Sequence, residues 1–428
     1  MKALNIAIKS LFYRKKQYTS LFCVCILGIS ISLFCLFLMT GMLSSLEEKA
    51  KIYYGGDFTF IGGKNNLHFS DVDSFLEKLE KIFPEETVIS KRFDFDADYA
   101  AFYFEGTGVR QRVIKGIDFT KEQELFKQFN YVEGNAENMA NSQGILLSKP
   151  IADMLNVRVG DSITFMLKTA QGYTNTVPLI VHGIFKDSSL FGMYTSYVDF
   201  DYLLSAFGWP KNWANRICIN LPENIDAKKH AKEYQKALEQ EFNMFQLVDD
   251  KQIFYNSLLG GVFSKPTYAL IELYANLEDL KILLDAMKLI TTFIICMLLL
   301  IIVIGVSSTF RVIVMKRINE IGIYMAIGMQ KKDIFKLILS ETSVLIIFSS
   351  IAGFILSLIL CKVSGFINFS FIPAFDIFLV NGKLLPLISL STIFLVSALI
   401  YVTTILAVLF AIRKSVNIMP VKALNVTE

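Results

Sequence analysis

Histidine is scarce here, three residues in 428, and charged side chains make up only 19% of the sequence, against about 25% in a soluble domain. His68, His182 and His230 lie far apart and none belongs to an H-E-x-x-H or comparable metal spacing, so surface or strand positions account for them. No G-x-x-x-x-G-K-[ST] phosphate loop occurs, which excludes nucleotide hydrolysis by that route. Of six cysteines, Cys23, Cys25, Cys35, Cys296 and Cys361 fall within long apolar runs or at their ends, and Cys218 alone lies in the middle of the chain. The middle segment therefore has no internal disulfide, and a thiol inside the strand-like Ile217-Cys218-Ile219 is expected to be buried and inert. Disorder, a collagen-like chain and a disulfide-rich secreted scaffold are all excluded by this composition.

What the chain has in excess is apolar residues, 53% of the total. They collect in four runs: Thr19 to Leu43, Leu289 to Phe310, Ile334 to Leu360 and Leu384 to Ile412. Each is long enough for a helix to cross about 30 Å of hydrocarbon. The first is too long for a signal-peptide core and lacks a small-x-small cleavage site, so it reads as a retained anchor. Lys2, Lys9, Arg14, Lys15 and Lys16 precede it, and Arg311, Lys316, Arg317, Lys331, Lys332 and Lys336 occupy the segment between the second and third runs. Only Lys362 and Lys383 separate the third and fourth runs, and Arg413, Lys414 and Lys422 follow the last. Basic residues resist translocation, so both termini and the loop between spans two and three are expected in the cytoplasm. Residues 44–290 hold 26 Lys plus Arg against 34 Asp plus Glu, a net of −8; the whole chain has 42 and 39, leaving +11 for the remainder. Because the basic groups border membrane spans, they read as topology anchors and not as a nucleic-acid surface.

The acidic middle segment reads as two similar units. One has a strand at 57–61, a helix opened by Ser70 and stopped by Pro84, and a strand at 87–90. The other has a strand at 216–220, a helix from Ala227 to Phe242 and a strand at 245–248. Two β-α-β halves would form a ferredoxin-like α+β sandwich, with a β-rich insert from about 106 to 212. The insert contains a short helix near Pro150 to Leu155 and a strand from Val177 to Phe185. The chain from about Tyr268 to Lys288 has helical spacing and is expected to run as one helix into the second span.

Gly55-Gly56 and Gly62-Gly63 read as turns flanking a strand. Asp94, Asp96 and Asp98 alternate with Phe93, Phe95 and Ala97; without the Gly and distal Glu of a calcium loop they read as a solvated strand face. Glu341 stands eight residues into the third apolar run, about 12 Å along a helix. An acid at that depth is costly and commonly functional. If the span begins later than Ile334, the acid sits near the headgroups with Lys336 or Lys316 as partner, in a packing or coupling role.

The stretch from Lys316 to Ile334 contains Arg317-Ile318-Asn319-Glu320-Ile321-Gly322, then Ala326, Gly328 and the polar-basic Gln330-Lys331-Lys332. It resembles the R-x-x-E-I-G-x-x-x-A-x-G loop of the FtsX-like, MacB-type permeases of ABC transporters, and Glu341 matches the acid that family places early in its third span. At the tail, Arg413-Lys414 and Met419-Pro420-Val421-Lys422-Ala423-Leu424 resemble its basic pair and P-V-x-A-L ending, although Asn425 stands where Arg is common. Gly144 to Ser148, Ile151-Ala152, Leu155, Val159-Gly160-Asp161 and Val181 to Phe185 are similar to segments of the family's external domain.

The resemblance implies an α-helical membrane protein with four spans and a large α+β external domain, a split ferredoxin-like porter unit carrying a β-rich insert. The corresponding division is an amphipathic entry helix at 1–18, spans at 19–43, 284–310, 334–360 and 384–412, and an external domain at 44–283. A coupling loop at 311–333, a short external loop at 361–383 and a cytoplasmic tail at 413–428 complete it. It further implies a non-enzymatic permease subunit in a bacterial inner membrane that binds no cofactor, with ATP and Mg used by a separate cytoplasmic ATPase dimer. A second permease subunit, copy or paralogue, and a periplasmic carrier or adaptor are the other implied partners; nucleic acid is not one. The coupling residues would be Arg317, Glu320, Ile321, Gly322, Ala326, Gly328, Lys331 and Lys332, with Arg413, Pro420, Ala423 and Leu424 in the tail. In layout the chain is similar to the Lol-type permeases, which implies lipoprotein release; efflux of a small molecule or peptide through an adaptor, and ATPase-driven signalling to a wall hydrolase, are the alternatives.

Overall fold

The computed structural model describes residues 13, 15–64, 66–96, 100–111, 113–127, 129–186, 191–192, 194–369, 371–372, 375–380 and 382–415. The chain divides into two units, Met1–Met42 with Leu284–Asn368 and Lys383–Glu428, and Leu43–Leu283 with Phe369–Gly382. Its first described element is a forty-residue helix, α1 (Lys15–Tyr54). Gly55 ends it at φ +99°, a left-handed turn that costs glycine little, and the Gly55 nitrogen donates to the Lys51 carbonyl at 2.7 Å.

The second unit follows in the order β1 (Phe58–Gly63), α2 (Val72–Glu80), β2 (Val88–Asp96), β3 (Ala101–Phe104), β4 (Thr107–Arg110), β5 (Val113–Ile117), α3 (Phe119–Lys127) and β6 (Tyr131–Gly134). Then come β7 (Gly144–Ser148), α4 (Lys149–Leu155), β8 (Ser162–Lys168), β9 (Thr174–Phe185), β10 (Thr195–Asp199) and α5 (Phe200–Phe207). The last part is β11 (Arg216–Asn220), α6 (Ala227–Glu241), α7 (Lys251–Leu259), β12 (Thr267–Glu272) and α8 (Leu273–Asn276). Among the described residues the strands join in one 12-stranded sheet, β12-β1-β11-β2-β5-β10-β7-β9-β8-β3-β4, with β6 paired to β9. The insert is thus continuous with the rest of the sheet through the β2–β5 pairing.

Period-two alternation is plain in β8, where Ile163, Phe165 and Leu167 are buried and their neighbours face outward. α2 buries Val72, Leu76 and Leu79 on its inner face. Aromatic rings fill the space between helices and sheet, with Phe60 stacked on Phe69 at 5.8 Å and on Tyr268 at 5.5 Å.

Several boundaries differ from expectation. Residues 245–248 form no strand; the second half closes with β12, which pairs with β1 from Gly63 to Phe58. The segment meets β12 at isolated points, Phe245 N donating to the Tyr268 carbonyl at 2.7 Å and Tyr268 N to the Asn243 carbonyl at 3.0 Å, before Asp250 caps α7 by accepting the Gln252 nitrogen at 2.6 Å. Residues 268–272 are accordingly strand and not helix. Their apolar run is buried on both faces, so periodicity could not separate the two forms, and pairing decides. Gly62 and Gly63 end β1 in place of a turn. Asp94 is not on a solvated face: it bridges Lys115 at 2.9 Å and Arg216 at 3.2 Å. The side chain of Asp96, and Asp98 entirely, lie outside the described residues.

The first unit continues with α9 (Glu278–Lys316), α10 (Ile318–Ala326), α11 (Lys331–Ser364) and α12 (Leu390–Ser415). Among the described residues, α1, α9, α11 and α12 are the four helices long and apolar enough to cross a membrane. α9 extends beyond Phe310 through Lys316, so the first part of the expected loop is helical, and α12 begins at Leu390 and not at Leu384. α1 is the central member, burying Leu21, Cys25, Ile29, Leu33 and Phe37 as one stripe. Glycines let the helices approach: a Cβ on Gly28 would come within 2.5 Å of Ile302, and one on Gly353 within 2.9 Å of Ile29.

Burial favours the neutral form of Asp94, but Arg216 and Lys115 outweigh it and hold the carboxyl at about 2, below its ordinary 3.8. A depressed carboxylate stabilises the fold above its unfolded pKa and loses that contribution as pH falls through the folded one. Asp94→Asn is therefore expected to cost about 2 kcal/mol at pH 7, with the difference from wild type closing between pH 3.8 and about 2. Trp209 and Trp213 are the only tryptophans, so Trp fluorescence of the detergent-solubilised chain follows this unit. A difference that persists unchanged at pH 2 would contradict the assignment.

Candidate functional site

Arg317 marks the break between α9 and α10. Its nitrogen closes α9 on the Ile313 and Val314 carbonyls at 3.2 and 3.1 Å, and its carbonyl opens α10 by accepting from the Ile321 nitrogen at 3.0 Å. At φ −100° and ψ 6° the residue leaves helical geometry, and its side chain is buried. Nη1 donates to Glu341 Oε2 at 2.5 Å and to the Tyr18 hydroxyl at 2.9 Å, and Nη2 to Glu341 Oε1 at 3.3 Å. Tyr18 in turn donates to Glu341 Oε2 at 2.8 Å. The start of α1, the α9–α10 break and the interior of α11 are therefore joined by one carboxylate.

Glu341 is 1% exposed and Arg317 5%. A planar guanidinium matches both carboxylate oxygens, which a lysine ammonium cannot do. Removing one member of a buried pair strands the other charge at a cost of about 3–5 kcal/mol. This geometry corrects the expected partners of Glu341: Lys316 and Lys336 are both exposed, and the ion pair is made by Arg317. Sequence reasoning also missed Tyr18. Its phenol stands at the head of an apolar run, and that polar tip beside a buried acid was the available signal.

The sites expected in the coupling segment separate into two faces. Ile318, Ile321 and Gly322 turn inward, so Ile321 belongs to the core of the unit and not to the outer face. Ile323, Ala326, Ile327 and Gly328 are exposed, Ile327 by 79%. Glu320 is half-exposed and approaches Arg317 Nε at 3.5 Å, a weaker tie than that to Glu341. Lys332 is exposed, whereas the side chains of Lys331 and Arg413, and all of Pro420, Ala423 and Leu424, lie outside the described residues. So does the entry segment up to residue 12. Among the described residues no group of three or more His, Cys, Asp or Glu is arranged to hold a metal ion. The cluster is suited to holding α10 against the bundle, with an apolar edge left facing outward.

Two family profiles match the chain. One, described as the MacB-like periplasmic core domain, covers residues 22–237, and the other, the FtsX-like permease C-terminal region, covers residues 258–420. No curated protein matches it. The second profile includes Arg317 and Glu341, and the first includes most of the sheet.

Glu341→Gln and Arg317→Met are each expected to destabilise the first unit by about 3–5 kcal/mol, while the paired Arg317→Met/Glu341→Met variant recovers most of the loss. Size-exclusion profiles after graded heating in detergent test this. A double variant that loses as much as the two singles summed would refute the pairing.

Proposed function

We propose a function from one premise: the chain belongs to the FtsX/MacB-type family of ABC permeases. It is an ABC transporter permease subunit, a non-catalytic membrane component, and permeases of this type work with cytoplasmic ABC ATPases. Our reading is that it works by mechanotransmission and releases or exports lipoproteins from the outer face of a bacterial inner membrane.

The observation that carries the reading is α10. It is tied inward through Arg317 to Glu341, and it presents Ile323, Ala326 and Ile327 outward next to Lys332. Apolar side chains exposed beside basic ones, outside the spans, suit a docking edge for a soluble partner. A separate ATPase dimer, binding ATP and Mg, would press on this edge. The basic residues bordering α10 support a cytoplasmic location for it and for both termini. The strand order β12-β1-β11-β2, with α2 and α6 in the crossovers, supports a split ferredoxin-like porter unit in the external domain. A second permease subunit, copy or paralogue, would complete the assembly, together with a periplasmic carrier.

Ile323→Asp and Ile327→Asp alter exposed positions, so folding and membrane insertion should persist. Co-purification of the ATPase is expected to fall at least tenfold. Depletion of the chain should leave lipoproteins in the inner-membrane fraction. Undisturbed lipoprotein sorting with lost drug or peptide resistance would overturn lipoprotein release in favour of efflux, and an ATPase recovered in full would overturn the docking edge.

A further inference from the structure

The last turn of α1 is held by buried charge. Arg92, on β2 and fully buried, donates through Nη1 to the Ile52 carbonyl at 2.7 Å and to the Tyr53 carbonyl at 3.2 Å. These belong to the final carbonyls of a helix, which have no intrahelical donor. The rest of the guanidinium grips Glu122 of α3, with Nε 3.0 Å from each carboxylate oxygen and Nη2 against Oε2. Ser90 donates to Glu122 at 2.7 Å. Beside this pair, Lys115 and Arg216 share Asp94, and the Lys115 ammonium lies 4.0 Å from the centre of the Tyr53 ring.

Three cations, Arg92, Lys115 and Arg216, thus face two acids, Glu122 and Asp94. One positive charge is unmatched by any side chain of this set. The carbonyl end of a helix carries roughly half an elementary negative charge, and α1 delivers that end onto Arg92. The same stretch of helix borders a cavity of about 240 Å³, lined by Ser45, Glu48, Lys49 and Ile52 of α1 and by Phe129 and Tyr197. Close packing elsewhere leaves little room for motion, whereas this side of the helix has space.

We propose that Arg92 is a positioning residue that couples α1 to the sheet, with the terminal carbonyls of the helix completing its charge balance. Displacement of α1 then enters β2 and α3 through Arg92. What displaces the helix rests on the permease reading; the grip itself does not.

Cys218 supplies an internal reporter. It is fully buried beneath the end of α1, where a Cβ on Gly55 would come 2.1 Å from its sulfur. In the full-length chain in detergent, with the other five cysteines replaced, maleimide labelling of Cys218 reads the seating of the helix end. Arg92→Met/Glu122→Met removes the ion pair as a unit, which apolar packing can replace without unfolding. Labelling is expected to accelerate at least tenfold with the Trp emission unchanged. With the partner ATPase, ATP turnover should persist while cargo release is lost. Arg92→Lys retains the charge but not the fork, and is expected to label at an intermediate rate; it decides the matter if the double variant fails to fold. Wild-type labelling rates in a folded variant would overturn the grip, and faster labelling with undiminished ATP-driven release would overturn the coupling. A wild-type assembly without ATP-driven release would count against the permease reading alone, since labelling needs no ATPase.

Discussion

A charge removed from water must be matched where it lies, and in the first unit that constraint fixes Arg317 against Glu341. Neither residue can turn away without stranding the other in an apolar surround. The consequence reaches beyond two side chains. Arg317 occupies the break that ends α9 and opens α10, so its guanidinium ties the start of α10 to α11. Tyr18 adds α1 to the same point, with one hydroxyl donating to the acid and accepting from the base. Three helical segments are held by a contact that dispersion forces alone would not make directional.

The second unit obeys the same constraint with a different balance. In the first, Arg317 meets Glu341 with Glu320 approaching its Nε, and the Tyr18 hydroxyl bonds to both members of the buried pair. In the second, Arg92, Lys115 and Arg216 share Glu122 and Asp94, and backbone carbonyls of α1 take up part of the excess. Burial favours the neutral form of Lys115 and leaves its ammonium at about 8, although Asp94 opposes the shift. Asp94 is lowered as well, to about 2, but by its two cationic neighbours acting against burial. Shifts of opposite physical origin within one cluster are what a network short of one negative side chain should show.

Much of this arrangement is legible in the sequence. Membrane spans declare themselves by length and composition, and the acidic segment between the first two by its charge. Arg317 and Glu341 both stand out in it, one by its place in the loop and one by its depth in an apolar run. Their pairing was not legible, because they stand on different elements and Lys336 and Lys316 were closer matches by position along a helix. The strand at 267–272 was hidden for a related reason. A segment buried on both faces has neither a period of two nor of 3.6, and only its pairing with β1 reveals it. Asp94 failed differently: alternation with Phe93 and Phe95 correctly separated two faces of β2, but one of those faces is lined by Lys115 and Arg216 and not by water.

The division of α10 into two faces follows from the same physics. The docking edge proposed for α10 and its attachment to the bundle place unlike demands on its two surfaces. Its inner residues, Ile318, Ile321 and Gly322, are buried next to the Arg317–Glu341 ion pair, where displacement would expose charge. Its outer residues, Ile323, Ala326 and Ile327, can be covered or uncovered at the cost of apolar area alone, about 25 cal/mol per Å². The inner attachment is therefore the stiffer of the two. On the proposed reading, a partner that binds the outer edge would displace α10 only by carrying Arg317, and with it the acid of α11 and the phenol of α1.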